Sequence, residues 1–178
     1  MKNSELINFK QEINPNISIR PIRPEDESLM IAFHQSLSEQ SVYFRWLSTL
    51  GLEQRISHER LSRVCAADQE NEVVLIAEWQ EAQTELPRIL GVGRLTRLKG
   101  SNEAEIAIII SDCYQRQGIG SEIMRRLIQI GHERGYERIV GDVHPENFGM
   151  QKTCRNLGFK VGYSIEDEVT KVALQLAA

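Results

Sequence analysis

Between Glu103 and Gly135 the chain changes its period. Glu103 to Ile110 reads as a strand whose last five residues, Ile106 to Ile110, are all apolar, and no apolar run in the chain is longer. Ser111 to Gln117 break the pattern. From there Ile119, Ile123, Leu127 and Ile130 recur at helical spacing, Met124, Ile128 and Gly131 widen the stripe, and Gly135 stops the helix near Arg134. A strand, a turn carrying Gly118 and Gly120, and an amphipathic helix thus follow one another, and such a helix buries its stripe by lying on a sheet.

The rest of the chain supplies that sheet. Glu72 to Gln80 and Ile89 to Leu98 are β-branched and apolar around the polar loop Glu81 to Arg88, which predicts an antiparallel hairpin. Gly100-Ser101-Asn102 turns the chain into the Glu103 strand. Strands are also expected at Ile17 to Ile22, Arg138 to Val143, Phe159 to Ser164 and Val169 to Leu176. Helical spacing marks a helix from Pro24-Glu25-Asp26 to about Ser36, another after Ser38 through Val42, Tyr43, Trp46 and Leu47, one over Gln54 to Ala67, and one over Asn147 to Leu157 closed by Gly158. Met1 to Asn16 is polar, contains Pro15, and is expected to be a mobile tail on one domain covering residues 17–178.

Composition removes several classes of function. With 41% hydrophobic residues and no long apolar run, the chain suits a sizeable core and no membrane helix, and the polar start lacks the apolar region of a signal peptide. Cys65, Cys113 and Cys154 are odd in number and far apart, against a disulfide framework or a thiolate metal cluster. A cytoplasmic location is expected. The net charge of −4, with both signs interspersed, gives no basic stripe for nucleic acid and suits a cationic substrate. His34, His58, His132 and His144 show no ligand spacing and read as surface or capping residues, so no metal is expected.

The glycine turn is the place for chemistry. A helix beginning near Gly118 leaves its first amides unpaired beside a partial positive charge, and glycines at 118 and 120 let an anion approach the backbone. A P-loop is excluded because no Gly-Lys-Ser/Thr follows. The dinucleotide fingerprint wants its first glycine directly after the strand and a third small residue where Ile123 stands; Asp142, about twenty residues on, is its only support. An ordinary helix start with glycines for packing is the other explanation.

Gln115-Arg116-Gln117-Gly118-Ile119-Gly120 resembles the pyrophosphate-binding signature of the GNAT acetyltransferase superfamily. Asn147-Phe148-Gly149-Met150, followed by Cys154 and Leu157-Gly158-Phe159, resembles its second marker. Ile19-Arg20-Pro21-Ile22-Arg23-Pro24-Glu25-Asp26, Ser41 to Arg45, Gly91 to Leu95 and Asn102 to Glu105 are similar to the acetyltransferase domain of bacterial protein lysine acetyltransferases of the Pat type. In many of those proteins the domain is fused to an acyl-CoA synthetase-like region associated with regulation, and none of the residues here resembles that region. The resemblance implies an α/β GNAT fold, a mixed, mostly antiparallel sheet with helices on both faces. It also implies acetyl-CoA as cosubstrate and a protein lysine as acceptor.

Direct transfer of an acetyl group from a thioester to an amine needs the two held together, a neutral amine, donors for the developing oxyanion and a proton for the leaving thiolate. Only about one lysine amine in two thousand is neutral at pH 7, so a base matters. Strand alternation puts Glu103, Glu105, Ala107 and Ile109 on one face and Ile106, Ile108 and Ile110 on the other. Glu103 reads as solvent-edged. In related lysine acetyltransferases the base occupies the place of Glu105, and the same strand splays from its neighbour at a bulge, which implicates the backbone of Ile108, Ile109 and Ile110 in holding pantetheine and thioester. By the same resemblance, Gln115, Arg116, Gln117, Gly118, Ile119, Gly120 and Ser121 hold the pyrophosphate, and Asn147 and Met150 belong to the cofactor site. Arg116, Arg125 and Arg126 are further candidates for phosphate contact. Many relatives carry a tyrosine at the place of Cys154, so the thiolate's proton falls to Cys154 or water. Tyr43, Phe44 and Trp46 read as packing residues, with one ring able to flank the amine. A small amine or a protein N-terminus as acceptor, and a non-catalytic acyl-CoA sensor, are the alternative readings.

Overall fold

The computed structural model describes residues 14–66, 70–80 and 87–176. Seven strands form one sheet: β1 (Ile17–Pro21), β2 (Glu72–Trp79), β3 (Arg88–Arg97), β4 (Glu103–Ile110), β5 (Arg138–Val143), β6 (Lys160–Ser164) and β7 (Val169–Gln175). Their order is β1-β2-β3-β4-β5-β7-β6. Every neighbouring pair is antiparallel except β4 and β5, which run parallel because a helix returns the chain between them. This is the mixed, mostly antiparallel α/β arrangement expected.

Four short helices, α1 (Glu27–Gln35), α2 (Glu39–Trp46), α3 (Leu52–Arg55) and α4 (His58–Cys65), precede most of the sheet; α5 (Ile119–Glu133) and α6 (Phe148–Asn156) follow β4 and β5. Alternation along β2 shows the layering. Val74 and Ile76 pack with Met30, Phe33, Val42 and Leu61 of the first helices, while Val73 and Leu75 pack with Ile119, Ile123, Met124 and Leu127 of α5. A β2 of near-continuous apolar residues is therefore buried on both faces, each fully buried side chain contributing about 1.5–3 kcal/mol. Helix α5 lies close to β3, where a Cβ on Gly93 would collide with Ile123 and crowd Leu127.

The helix expected over Gln54 to Ala67 is divided. Ser57 adopts φ −59°, ψ 136°, and its hydroxyl donates back to the Gln54 carbonyl, an alternative to the helical ladder that ends α3 and restarts the chain as α4. Ala67, the loop 81–86 and the first 13 residues of the expected tail lie outside the described residues.

One ion-pair network joins β1, β2 and the short 3-10 turn Pro24–Asp26. Arg20 donates to both carboxylate oxygens of Asp26, at 2.7 and 2.8 Å, and to both of Glu78, at 2.9 Å each. These hydrogen bonds hold both carboxyls below their usual range, against the opposing effect of burial. Carboxyls depressed in the folded state add stability that is complete above their unfolded values and is lost as pH falls from there through the lower folded values. Arg20→Gln is therefore expected to cost about 3 kcal/mol at neutral pH and much less near pH 3, measured by urea unfolding. An equal cost at both pH values would contradict this origin.

Candidate active site

β4 and β5 are hydrogen-bonded neighbours over three positions only, Glu103 with Arg138, Ala104 with Ile139 and Glu105 with Val140. Beyond Glu105, β4 continues on β3 to Ile110, paired with Gly91, while β5 continues on β7 to Val143, paired with Thr170. The sheet opens there into a cleft of about 750 Å³. The expected bulge is absent from β4: its register with β3 is unbroken from Ala104 to Ile110, and the opening comes from β5 leaving with β7.

The register also decides which backbone groups face the opening. The Glu103 carbonyl accepts from the Leu98 amide, so the polar groups of Glu105, Ala107 and Ile109 turn towards β3 and those of Ile106, Ile108 and Ile110 turn towards the cleft. Ile109 thus departs from the expected trio: its backbone pairs with Val92 and its side chain is buried with the first helices. The Ile110 carbonyl accepts from the Gln115 side chain at 3.1 Å.

The glycine turn closes one end of the cleft. Arg116 has φ 59° and Gly118 φ 83°, the second natural for glycine and the first a strained conformation for arginine. Gly118 caps α5, and the amides of Ile119, Gly120 and Ser121 have no hydrogen-bond partner among the described residues. A Cβ on Gly120 would stand 3.5 Å from the Ile110 side chain and 3.7 Å from that of Ile108, ordinary contacts on the cleft wall. Partnerless amides at the positive end of a four-turn helix suit a phosphate. Gln115, Arg116, Gly118, Gly120 and Ser121 line the cleft. The other two expected side chains do not: Gln117 donates to the Cys113 carbonyl, and Ile119 is buried in the core. Arg125 and Arg126 both pair with Glu122, and Arg126 also donates to the Ile19 carbonyl.

The two carboxylates of β4 separate clearly. Glu103 is ion-paired with Arg138 at 2.9 Å, across the closed part of the β4 and β5 pair. Glu105 is exposed, lines the cleft and sits at the last paired position. Asn147 caps α6 by accepting from the Met150 amide at 3.1 Å, and both residues line the cleft. On the opposite wall α2 brings Phe44, Arg45 and Trp46 to the cleft. Asp112 holds that helix, accepting from the Ser38 amide at 3.0 Å, the Ser38 hydroxyl at 2.6 Å and the Ser41 hydroxyl at 2.8 Å. Burial works against the charge of Asp112, and these bonds outweigh it, holding the carboxyl below its usual range. His144, just past β5, packs on α2, its ring 5.0 Å from Phe44 in a stacked arrangement and 5.2 Å from Tyr43.

Several of these roles leave no pattern in sequence. Asp112 and His144 act through contacts with residues distant in the chain, and Tyr114, which lines the cleft, lies between the strand and the motif without belonging to either. His34, read as a surface or capping residue, is buried, with its Nδ1 unpartnered among the described residues. Cys154 is fully buried in the α5 core, away from the cleft lining, and burial pushes its thiol up to about 11. Of the two expected sources of the thiolate's proton, Cys154 is thus set back from the cleft wall.

Residues 16–160 match the acetyltransferase (GNAT) domain. The chain belongs to the GNAT acetyltransferase family. The acetyltransferase PA5475 of Pseudomonas aeruginosa is 29% identical over 162 residues, which cover 91% of this chain and 84% of that protein. The GNAT domain of S. lividans PAT is 25% identical and superposes with a TM-score of 0.77 over 89% of each chain. The PaiA N-acetyltransferase of Thermoplasma acidophilum, solved with coenzyme A, shares the fold at 18% identity, with a TM-score of 0.69 over 90% of this chain and 99% of that one. No helix among the described residues of this chain is long and apolar enough to cross a membrane.

The thiols of this GNAT chain give a direct check. Cys113 is exposed, whereas Cys65 and Cys154 are buried and both raised to about 11 by that burial, which disfavours the reactive thiolate. A thiol reagent at neutral pH is expected to label one cysteine of the native protein, Cys113, with Cys154→Ala retaining acetyl transfer within about threefold. Rapid labelling of Cys154, or a hundredfold loss in that variant, would return Cys154 to the reaction.

Proposed function

We propose that this GNAT enzyme transfers the acetyl group of acetyl-CoA to a lysine side chain of a protein, with Glu105 as general base. One observation carries the catalytic part: Glu105 stands where β4 parts from β5, on the cleft that runs to the partnerless amides of Ile119, Gly120 and Ser121. Of the three other carboxylates lining the cleft, Asp112 is engaged by Ser38 and Ser41 and Asp142 by Lys171, while Glu146 lies past the end of β5 rather than on β4.

In this reading the pyrophosphate rests on the α5 amides and the pantetheine lies along the opening, bonded to the backbone of Ile108 and Ile110. The thioester then arrives near Glu105. The amine nitrogen attacks the thioester carbonyl carbon, Glu105 takes the amine proton, and a cleft-facing amide of β4 stabilises the developing oxyanion. The carbon–sulfur bond breaks as the amide forms. With Cys154 buried, Tyr114 and water are left to protonate the departing thiolate. Support for a lysine acceptor comes from the Pat-like stretches of the N-terminal half and from the similarity to the GNAT domain of S. lividans PAT. An open cleft mouth with an exposed Phe148 suits a macromolecular acceptor.

Glu105→Gln keeps shape and hydrogen bonding and removes the base. In a chemistry-limited assay kcat is expected to fall by about a hundredfold at pH 7 with acetyl-CoA binding nearly unchanged. The loss should shrink as pH rises towards the lysine value of about 10.4, because more amine is then neutral without help. Glu103→Gln, which breaks only the pair with Arg138, is the control and is expected to change kcat little. Wild-type turnover in Glu105→Gln would overturn the assignment, and mass spectrometry of labelled lysate showing only acetylated small amines or α-amino groups would overturn the lysine acceptor.

A further inference from the structure

Beside Glu105 a second, smaller cavity of about 40 Å³ opens between the first helices and the sheet. It shares Arg45, Trp46, Ala107 and Ile109 with the wall of the large cleft, so the two adjoin. Three arginines line it, Arg45, Arg60 and Arg94. Arg45 and Arg60 lie over the same indole, 5.2 and 5.3 Å from the centre of the Trp46 ring. A fourth, Arg55, stands behind them and donates to the carbonyls of Leu50 and His34.

Negative charge does not match this. Arg94 is paired with Glu72. Arg60 makes one hydrogen bond, to the Arg55 carbonyl at 3.3 Å. Arg45 has no hydrogen bond or ion pair among the described residues, and the only carboxylate whose field reaches it strongly is Glu105. Burial and the neighbouring Arg94 lower the Arg45 guanidinium to about 10, the mark of a cation lacking a partner. His34, also on the cavity wall, adds no charge at neutral pH, since burial and the same arginines lower it to about 4, and its Nδ1 is unpartnered. Half-buried guanidinium groups with unused donors are costly unless an anion meets them. A carboxylate meets them in fork geometry with charge-assisted hydrogen bonds, and a cavity of this size admits a group of a few heavy atoms.

We propose that this cavity is a carboxylate subsite of the acceptor, formed by Arg45, Arg60 and Arg94, which selects amines carrying an acid group beside the reacting nitrogen. Distance sets the spacing. Ala107, on the cavity wall, lies two residues from Glu105 on the same face of β4, about 7 Å along the strand. That separation suits the side chain of a Glu or Asp next to an acceptor lysine. The source of the acid rests on the lysine reading above, whereas the preference for an acid does not.

The test uses matched pairs. Peptides with Glu or Gln adjoining one lysine, and 6-aminohexanoate against its amide, are compared by kcat/KM in the wild type, Arg45→Gln, Arg60→Gln and Arg60→Lys, with melting temperature and acetyl-CoA affinity reporting folding. The acidic member of a pair is expected to win by about tenfold or more in the wild type, the range of one charge-assisted bond, with the ratio falling towards one in the Gln variants and partly kept in Arg60→Lys. A wild-type ratio near one in both series, or a ratio kept in both Gln variants, overturns the subsite. The preference seen only with 6-aminohexanoate, without peptide turnover, keeps the subsite and refutes the protein lysine. Glutarate, which has carboxylates and no amine, gives a readout free of turnover: calorimetric binding to the wild type and not to folded Arg60→Gln is expected, and equal heats for the two proteins overturn the proposal.

Discussion

The parting of β4 from β5 after Glu105 and Val140 is the constraint on which the remaining features depend. A sheet strand normally spends both edges on neighbours, and here β4 keeps β3 on one edge while its other edge is released over its last residues. The backbone groups of Ile108 and Ile110 are thereby turned into a cleft. The same geometry places the start of α5 at the end of the opening, because the chain leaves the tip of β4 and must return to the beginning of the parallel β5 beside the start of β4. An edge for hydrogen bonding, a helix end for anions and a carboxylate at the vertex follow from one topological choice.

The wall facing that edge is held by polar contacts as well as by the burial of Val42. Asp112, just past β4, gathers Ser38 and Ser41 from the start of α2, and Gln115 ties the Ile110 carbonyl to Ser41. The motif residue Gln115 therefore has a structural duty as well as a place on the cleft. His144 joins the other rim by stacking on Phe44 and receiving the Glu146 amide on its Nδ1. Two rims fixed in this way set the width available to an acceptor and bring Arg45 and Trp46 beside Glu105.

Local periodicity made most elements legible. The β2, β3 and β4 meander, the start of α5 at the glycine turn and the cap of α6 at Asn147 are set by neighbours in sequence, and their spacing shows it. Features decided by something other than hydrophobic spacing were not legible. The break at Ser57 depends on one back-bonding hydroxyl, and the orientation of Ile109 depends on the register with β3, which alternation cannot supply. Cys154 reads equally as core or as acid until its burial is seen. The arginines at 45, 60 and 94 come from α2, α4 and β3, with nothing in their spacing to announce a shared cavity. His34 misleads because a histidine in an amphipathic helix is as often outside as inside.

Amide hydrogen exchange with and without acetyl-CoA reads whether the cosubstrate lies along the released edge of β4 and on the α5 amides. Ile108, Ile110, Ile119, Gly120 and Ser121 should gain protection together on binding, while Ile109 and Glu103, whose backbone groups already face β3, should change little. Saturating acetyl-CoA that left those five amides exchanging as before, with protection appearing elsewhere, would contradict that placement.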